Sequence, residues 1–141
     1  MKKLFFVTAA FCFFAFEMKA QDKGKAPDAA KSSFQKMFPK AEKVKWDKED
    51  NEYEASFTLN GTKMSAVFDV AGNWKETEET IAQKDVPAKA LAYFTEHYKN
   101  SKIQECAKTI KSDKQVVYEI EIKGKDIVFD SNGNFVKEAK D

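Results

Sequence analysis

The sequence predicts an α+β protein: two tandem helix-plus-four-strand repeats forming one antiparallel sheet with helices on one face. Three observations lead there. Phe68-Asp69-Val70-Ala71-Gly72-Asn73-Trp74 returns 61 residues later as Phe129-Asp130-Ser131-Asn132-Gly133-Asn134-Phe135. Two helical patterns align at an offset of 60: Ala30 with Ala90, Phe34 with Phe94 and Phe38 with Tyr98. After each helix, apolar and polar residues alternate in runs separated by Gly, Asn and Asp turns, the period of half-buried strands.

The N-terminal segment reads as an address rather than a fold. Lys2 and Lys3 precede an apolar run from Leu4 to Phe16, and Met18-Lys19-Ala20 places a small residue at a cleavage point. Residues 1–20 are therefore expected to be a secretory signal peptide, and the protein periplasmic or secreted. An apolar run of 13 residues is too short to span a bilayer. Cys12 lies inside that run behind the bulky Phe11, which does not suit lipidation. Residues 21–27 are polar and read as a flexible leader.

The first repeat is expected over residues 28–81. Asp28 would cap a helix from Ala29, with Ala30, Phe34, Met37 and Phe38 on one face and Pro39 as its stop. Val44 and Trp46 mark a half-buried strand, and Asp47 to Asn51 a charged turn. Tyr53, Ala55, Phe57 and Leu59 line the inner face of a second strand. Asn60-Gly61 suits a type I′ hairpin, because both central residues need positive φ. Met64, Ala66 and Phe68 continue inward, Gly72-Asn73 turns the chain, and Trp74 opens a short last strand. Thr77 to Lys84 reads as a polar joint between the copies.

The second repeat is expected over residues 85–138, the two forming one compact domain. Pro87 suits a first helical turn, and Ala90, Leu91, Phe94 and Tyr98 share a face. Ile103 to Ile110 is a weak strand followed by a turn at Ser112-Asp113-Lys114. Tyr118, Ile120 and Ile122 alternate with Glu119 and Glu121, and Gly124 marks the hairpin. Ile127 and Phe129 return, and Phe135-Val136 closes the unit. Neither copy alone is large enough to bury much surface, so side-by-side packing on a shared sheet is the economical solution.

Composition narrows the function. Loss of residues 1–20 from the 141 leaves 121, with 21 basic and 22 acidic residues. Such a balance gives no electrostatic reason to expect nucleic acid or an anionic membrane, and no membrane insertion follows removal of the signal. Cys106 would be the sole remaining cysteine, expected to be buried and inert. His97 is the only histidine; it replaces Met37 in the repeat and reads as a partly buried structural residue. One His and one Cys supply neither a nucleophile–base set nor zinc spacing, so no enzyme, cofactor or metal is expected. Asp130, Asn132 and Asn134 alternate as in a calcium loop, but Gly133 is misplaced and no terminal Glu follows, so a turn suffices. Asn60-Gly61-Thr62 matches a glycosylation sequon that the hairpin already explains. Trp46 and Trp74 are expected in the core.

Helices on one face leave the other free. The residues out of phase with the core are Glu54, Ser56, Thr58, Ser65, Val67, Val117, Glu119, Glu121 and Val128. Of these, Glu54, Ser56, Thr58, Val117, Glu119 and Glu121 form the candidate partner-binding face, although the same pattern fits a plain solvated sheet.

Tyr53-Glu54 with Phe68-Asp69 and Gly72, and Tyr118-Glu119 with Phe129-Asp130 and Gly133, resemble the PepSY-like, or β-lactamase-inhibitor-like, proteins of bacterial envelopes. The signal and Lys-rich chain are similar to the secreted members common in Bacteroidetes. The resemblance covers about residues 28–138. It implies a fold and, through the family name, inhibition of a secreted enzyme by a concave sheet. The matching motifs are structural, and no inhibitory loop residue carries over. The expectation is a non-enzymatic module that binds an unknown protein or peptide on its open face. The alternative is a small envelope structural or stress protein with no tight partner. The sequence leaves the oligomeric state open.

Overall fold

The computed structural model describes residues 25–140, so the expected signal peptide lies outside the described residues. Helix α1 (Asp28–Met37) precedes β1 (Glu42–Glu49), β2 (Glu52–Leu59), β3 (Thr62–Asp69) and β4 (Trp74–Ile81). A 3-10 turn, Gln83–Asp85, leads to α2 (Ala88–His97), then β5 (Glu105–Lys111), β6 (Val116–Ile122), β7 (Lys125–Asp130) and β8 (Phe135–Lys140). The eight strands form a single sheet in chain order, each antiparallel to its neighbours.

Both helices bury one stripe. Ala30 and Phe34 of α1 pack on Ala55, Phe57, Ala66 and Phe68 of β2 and β3. Phe34 meets the rings of Trp46, Phe57 and Phe68 edge-on, the arrangement that aromatic quadrupoles favour. Ala90 and Phe94 of α2 pack with Val86 on Cys106, Ile120, Ile122, Ile127 and Phe129. Strand register carries Ala66 through Thr77 to Ile110, and Ile81 through Cys106 to Ile120, so both clusters occupy the same face. Trp46 and Trp74 pack against the first cluster, as expected. Cys106 is buried, and that burial pushes its thiol up to about 11.

Several local expectations change. Pro27 and Pro87 occupy the N-cap positions, and Asp28 lies inside the first turn without a side-chain cap bond. There its charge still meets the positive end of the helix dipole. The proline carbonyls begin each helix by accepting from Lys31 and Leu91 N–H. Ala26, within the expected leader, is buried, as is Val86 at the matching position before α2. Strand β1 runs to Glu49, which narrows the first turn to Asp50-Asn51. Lys43 adopts positive φ where the β1–β2 register shifts, and Val44 is exposed rather than inward. His97 is exposed at the end of α2, with its ring against Tyr93.

The largest correction concerns residues 77–84. Thr77 to Ile81 is the body of β4, paired on both sides: Thr77 opposes Ala66 and Ile110, and Glu79 opposes Met64 and Lys108. A polar segment becomes a central strand because its hydrogen bonds are satisfied by long-range pairing, which local hydrophobicity does not report.

The repeated Asp-x-x-Gly-Asn motif ties each hairpin end to a helix. Asp69 Oδ1 accepts from the N–H groups of Ala71 and Asn73, and its Oδ2 accepts from Asn73 Nδ2. Asp130 does the same with Asn132 and Asn134. Gly72 and Gly133 follow at φ 84° and 78°. They also sit against the helix starts. A Cβ at Gly72 would lie 2.6 Å from the Ala29 carbonyl oxygen, and one at Gly133 would lie 2.9 Å from the Ala90 nitrogen.

Gly72→Ala and Gly133→Ala are therefore expected to lower the urea midpoint further than Gly61→Ala and Gly124→Ala, where a Cβ would meet nothing within 4 Å. Left-handed backbone costs all four about 1–2 kcal/mol. Only positions 72 and 133 add a clash with helix backbone, about 1–3 kcal/mol more. Equal losses at all four positions would show that the turn–helix contact contributes nothing.

Candidate functional site

The face opposite the helices is built by the second half of the strand alternation. Across the sheet, one row runs Asp47, Glu54, Val67, Glu76, Lys111. The next runs Lys45, Ser56, Ser65, Glu78, Thr109, Val117, Asp130. A third runs Thr80, Ala107, Glu119, Val128, Lys137. Register also places Thr58 and Glu121 on this side, so all six candidate residues share one face.

That face is not a flat solvated surface. Glu54, Ser65, Val67, Thr109, Asp126 and Val128 are buried although both helices lie on the far side. The sheet must therefore curl over its own residues. Antiparallel sheets twist. Register shifts at Val67/Phe68 and Val128/Phe129, in matching places of the two halves, bend the strands further. The resulting concavity holds a groove of about 700 Å³ over the β5–β8 half. Val117 and Val128 contribute apolar surface, Glu76 and Glu119 carboxyl groups, and Lys111 and Lys137 cations. Of the six candidates, Val117 and Glu119 line this groove; Glu54, Ser56, Thr58 and Glu121 do not.

Glu76, Glu78, Thr109, Lys111 and Lys137 were not among the expected face residues. Glu78 was hidden in the segment read as a joint, and Glu76 lay in the short strand opened by Trp74, whose faces were left unassigned. Their alternation with Thr77, Glu79 and Ile81 was the available signal.

Concavity changes the carboxyl groups. Burial pushes Glu54 up to about 8, aided by Glu49, Asp47 and Glu76 and opposed by a hydrogen bond from Ser65. Glu54 is 3% exposed, and its Oε1 accepts no hydrogen bond among the described residues. Burial also holds Glu78 well above the ordinary carboxyl range, with Glu119 adding to it. Thr109 Oγ1 donates to Glu78 Oε2 at 3.3 Å. Glu119 is pushed up to about 7 by burial, then by Asp126 and Glu76, against the pull of Lys137 and Lys111. Glu76 is raised by burial and lowered by Lys111. A surface that reads as acidic thus carries much of its acid protonated near neutral pH.

His97 and Cys106 belong to the helix side. A buried thiol with raised pKa has little thiolate, the opposite of an activated nucleophile. Among the described residues, no three His, Cys, Asp or Glu side chains are placed to hold a metal ion.

Comparison with known proteins fits this architecture. The sequence profile of a family described as β-lactamase-inhibitor-like and PepSY-like matches residues 51–137. The chain belongs to this PepSY-like family. The match begins just before β2 and takes in both Asp-x-x-Gly-Asn turns and every residue that lines the groove.

Solved structures similar to this PepSY-like chain come from Bacteroides. One, from Bacteroides eggerthii and inferred to be periplasmic, is 21% identical and covers 83% of this chain and 90% of its own, with a TM-score of 0.76. A DUF2874 family protein from Bacteroides uniformis is 21% identical over 82% of this chain and 89% of its own, with a TM-score of 0.73. A BLIP-like protein from Bacteroides fragilis is 24% identical over 81% and 86%, with a TM-score of 0.63. These likenesses show a shared fold. No functionally curated protein matches the chain. Among the described residues, no helix is long and apolar enough to cross a membrane.

The raised carboxyls predict a pH dependence. In the folded state Glu54 binds its proton up to about 8, whereas the unfolded chain releases it near the ordinary 4.5. Between those values the native state holds more protons, so stability falls as pH rises. Glu119 adds a fall that ends near 7. Asp69, held down to about 2 chiefly by its Asn73 hydrogen bonds, acts in the other direction only below its ordinary 3.8. Urea midpoints are thus expected to decline from pH 5 to 8.5, and Glu54→Gln to flatten that decline. A midpoint that rises over this interval would refute the assignment.

Proposed function

We propose that this protein is a non-enzymatic binding module of the periplasm or the extracellular space, holding a protein or peptide partner against the concave sheet face. The observation that carries the reading is the groove. A sheet with a free outer face buries polar residues there and still leaves about 700 Å³ open, beside Val117 and Glu119. A volume of that size admits inserted side chains or a short stretch of chain. An apolar floor within a polar rim is the anatomy of a binding patch.

Two further facts support the direction. The family description is β-lactamase-inhibitor-like, and a BLIP-like protein shares the fold. The sharper form of the proposal is inhibition: the groove would receive a projecting segment of a secreted or periplasmic enzyme. Secretion through a cleaved signal at residues 1–20 belongs to the same proposal. Glu54, being buried, would act by setting the charge of the face, and Val117 and Glu119 by contact.

The test is affinity capture with the chain from Gln21 to Asp141, using envelope and culture-supernatant extract of its own host. Wild type is expected to retain one stoichiometric protein through moderate salt. Val117→Asp, checked for an unchanged melting temperature, is expected to weaken that complex at least about tenfold, a loss of roughly 1.4 kcal/mol. Equal capture by the folded variant would remove the groove from the interface. A hydrolase as the captured protein, with its activity lowered on binding, would support inhibition.

A further inference from the structure

We infer that the part of the partner that enters the groove is an uncharged apolar side chain, and that the second half of the sheet alone is shaped to receive it. This rests on the binding role proposed for the concave face and names the chemistry of its occupant.

The first half of the molecule is an internal comparison. Both halves build the same hairpin by the same register: Glu52 opposes Asp69 where Val117 opposes Asp130. Asn51-Glu52 precedes Tyr53-Glu54 as Val116-Val117 precedes Tyr118-Glu119. The two bulges also correspond. Lys75 is the extra residue between Trp74 and Glu76, and Val136 is the extra residue between Phe135 and Lys137. At these matching positions the first half carries Asn51, Glu52 and Lys75, and the second carries Val116, Val117 and Val136. The fold does not require valine there, because the first half forms the same strands without it.

The two sets of side chains behave differently. Lys75 Nζ lies 3.2 Å from Asp69 Oδ2, so this bulge residue closes on its own turn. Val136 is instead 50% exposed, and it lines the groove with Val116, Val117 and the buried Val128. Single exposed apolar residues are ordinary on a protein surface. Valines that converge on one concavity, at positions that are polar in the other half, mark a binding patch.

The charges of the lining answer one another. Lys111, Lys114 and Lys137 stand with Glu76, Glu119 and Asp130. Lys111 is the cross-strand neighbour of Glu76, and Lys137 and Lys111 both draw the Glu119 pKa down. The Asp130 oxygens accept from its own turn. A charged side chain entering here would lose water and meet both signs at once. An apolar one would gain by burial against the valines.

Peptide selection tests the inference. A phage-displayed library of random short peptides would be panned on the immobilised chain from Gln21 to Asp141, and in parallel on Val117→Glu/Val136→Lys. That variant copies the side chains of Glu52 and Lys75 at unchanged net charge, so its melting temperature is expected to hold. Should it unfold, Val117→Thr/Val136→Thr takes its place, keeping the branched shape and the strand preference. Wild type is expected to enrich peptides that share Leu, Ile, Phe or Met at one position. A selected peptide is expected to shift backbone amides of β6 and the start of β8, and to bind the folded variant at least about tenfold more weakly. Enriched peptides that share a charged residue, no enrichment over bare support, or equal affinity for the folded variant would overturn the inference. Failure is distinguishable from failure of the binding role. If Val117→Asp disrupts the captured complex while the selected peptides share a charged residue, the groove remains the site and its occupant is not apolar. If Val117→Asp leaves capture intact, the groove is not the interface and both readings fall.

Discussion

The pairing of β4 with β5 is the constraint on which the rest of the structure depends. Without it the chain would be two four-stranded units, each with a short helix, a small core and exposed edges. With it, Glu76 to Ile81 lie beside Lys111 to Cys106, and one sheet carries both aromatic clusters. The same register sets Glu76 against Lys111 and Glu78 against Thr109. The seam between the halves is thus also the centre of the concave face. A change in that register by one residue would turn every one of these side chains to the other side.

The two faces of the seam solve different problems. On the helix side, alternation delivers Ala66, Phe68, Ile120, Ile127 and Phe129 into contact with α1 and α2, and stability comes from apolar burial. On the far side, alternation delivers glutamates to a surface that the sheet's curl withdraws from water. Burying carboxyl groups costs stability unless they stay protonated, and Glu54, Glu78 and Glu119 do hold their protons more tightly. Replacing them with apolar residues would relieve that cost, so their presence in this position points to use rather than to folding. Asp69 and Asp130 show the contrast. Their carboxylates are fully occupied by turn N–H groups and Asn side chains, their pKa values are held low, and their role is structural.

Much of the fold was legible because local signals agreed with the global arrangement. The spacing of Ala30 with Phe34 and of Ala90 with Phe94 located both helices. Asn60-Gly61, Gly72, Gly124 and Gly133 placed the turns, all with positive φ. The alternation in β2, β3, β6 and β7 sorted residues between faces well enough to group the six candidates together. What was not legible depended on contacts distant in sequence. Strand β4 is polar along its length and looks like a linker until β3 and β5 pair with it. Val44 has the composition of an inward residue, but the bulge at Lys43 turns it out. The burial of Glu54 and Ser65 follows from sheet curvature, which no single strand encodes.

Curvature also explains why the candidate residues separate in function. In a flat sheet Glu54, Ser56, Thr58, Val117, Glu119 and Glu121 would be equivalent contact points. In the curled sheet Val117 and Glu119 line the groove, whereas Glu54 lies two strands from Glu76, without a place in the groove wall. A ligand touching Glu76 would still sense Glu54, because charges act across a poorly solvated surface over such distances. The carboxyl groups of the concave face are therefore coupled: Glu76 is among the charges that raise Glu54, and it raises Glu119 as well.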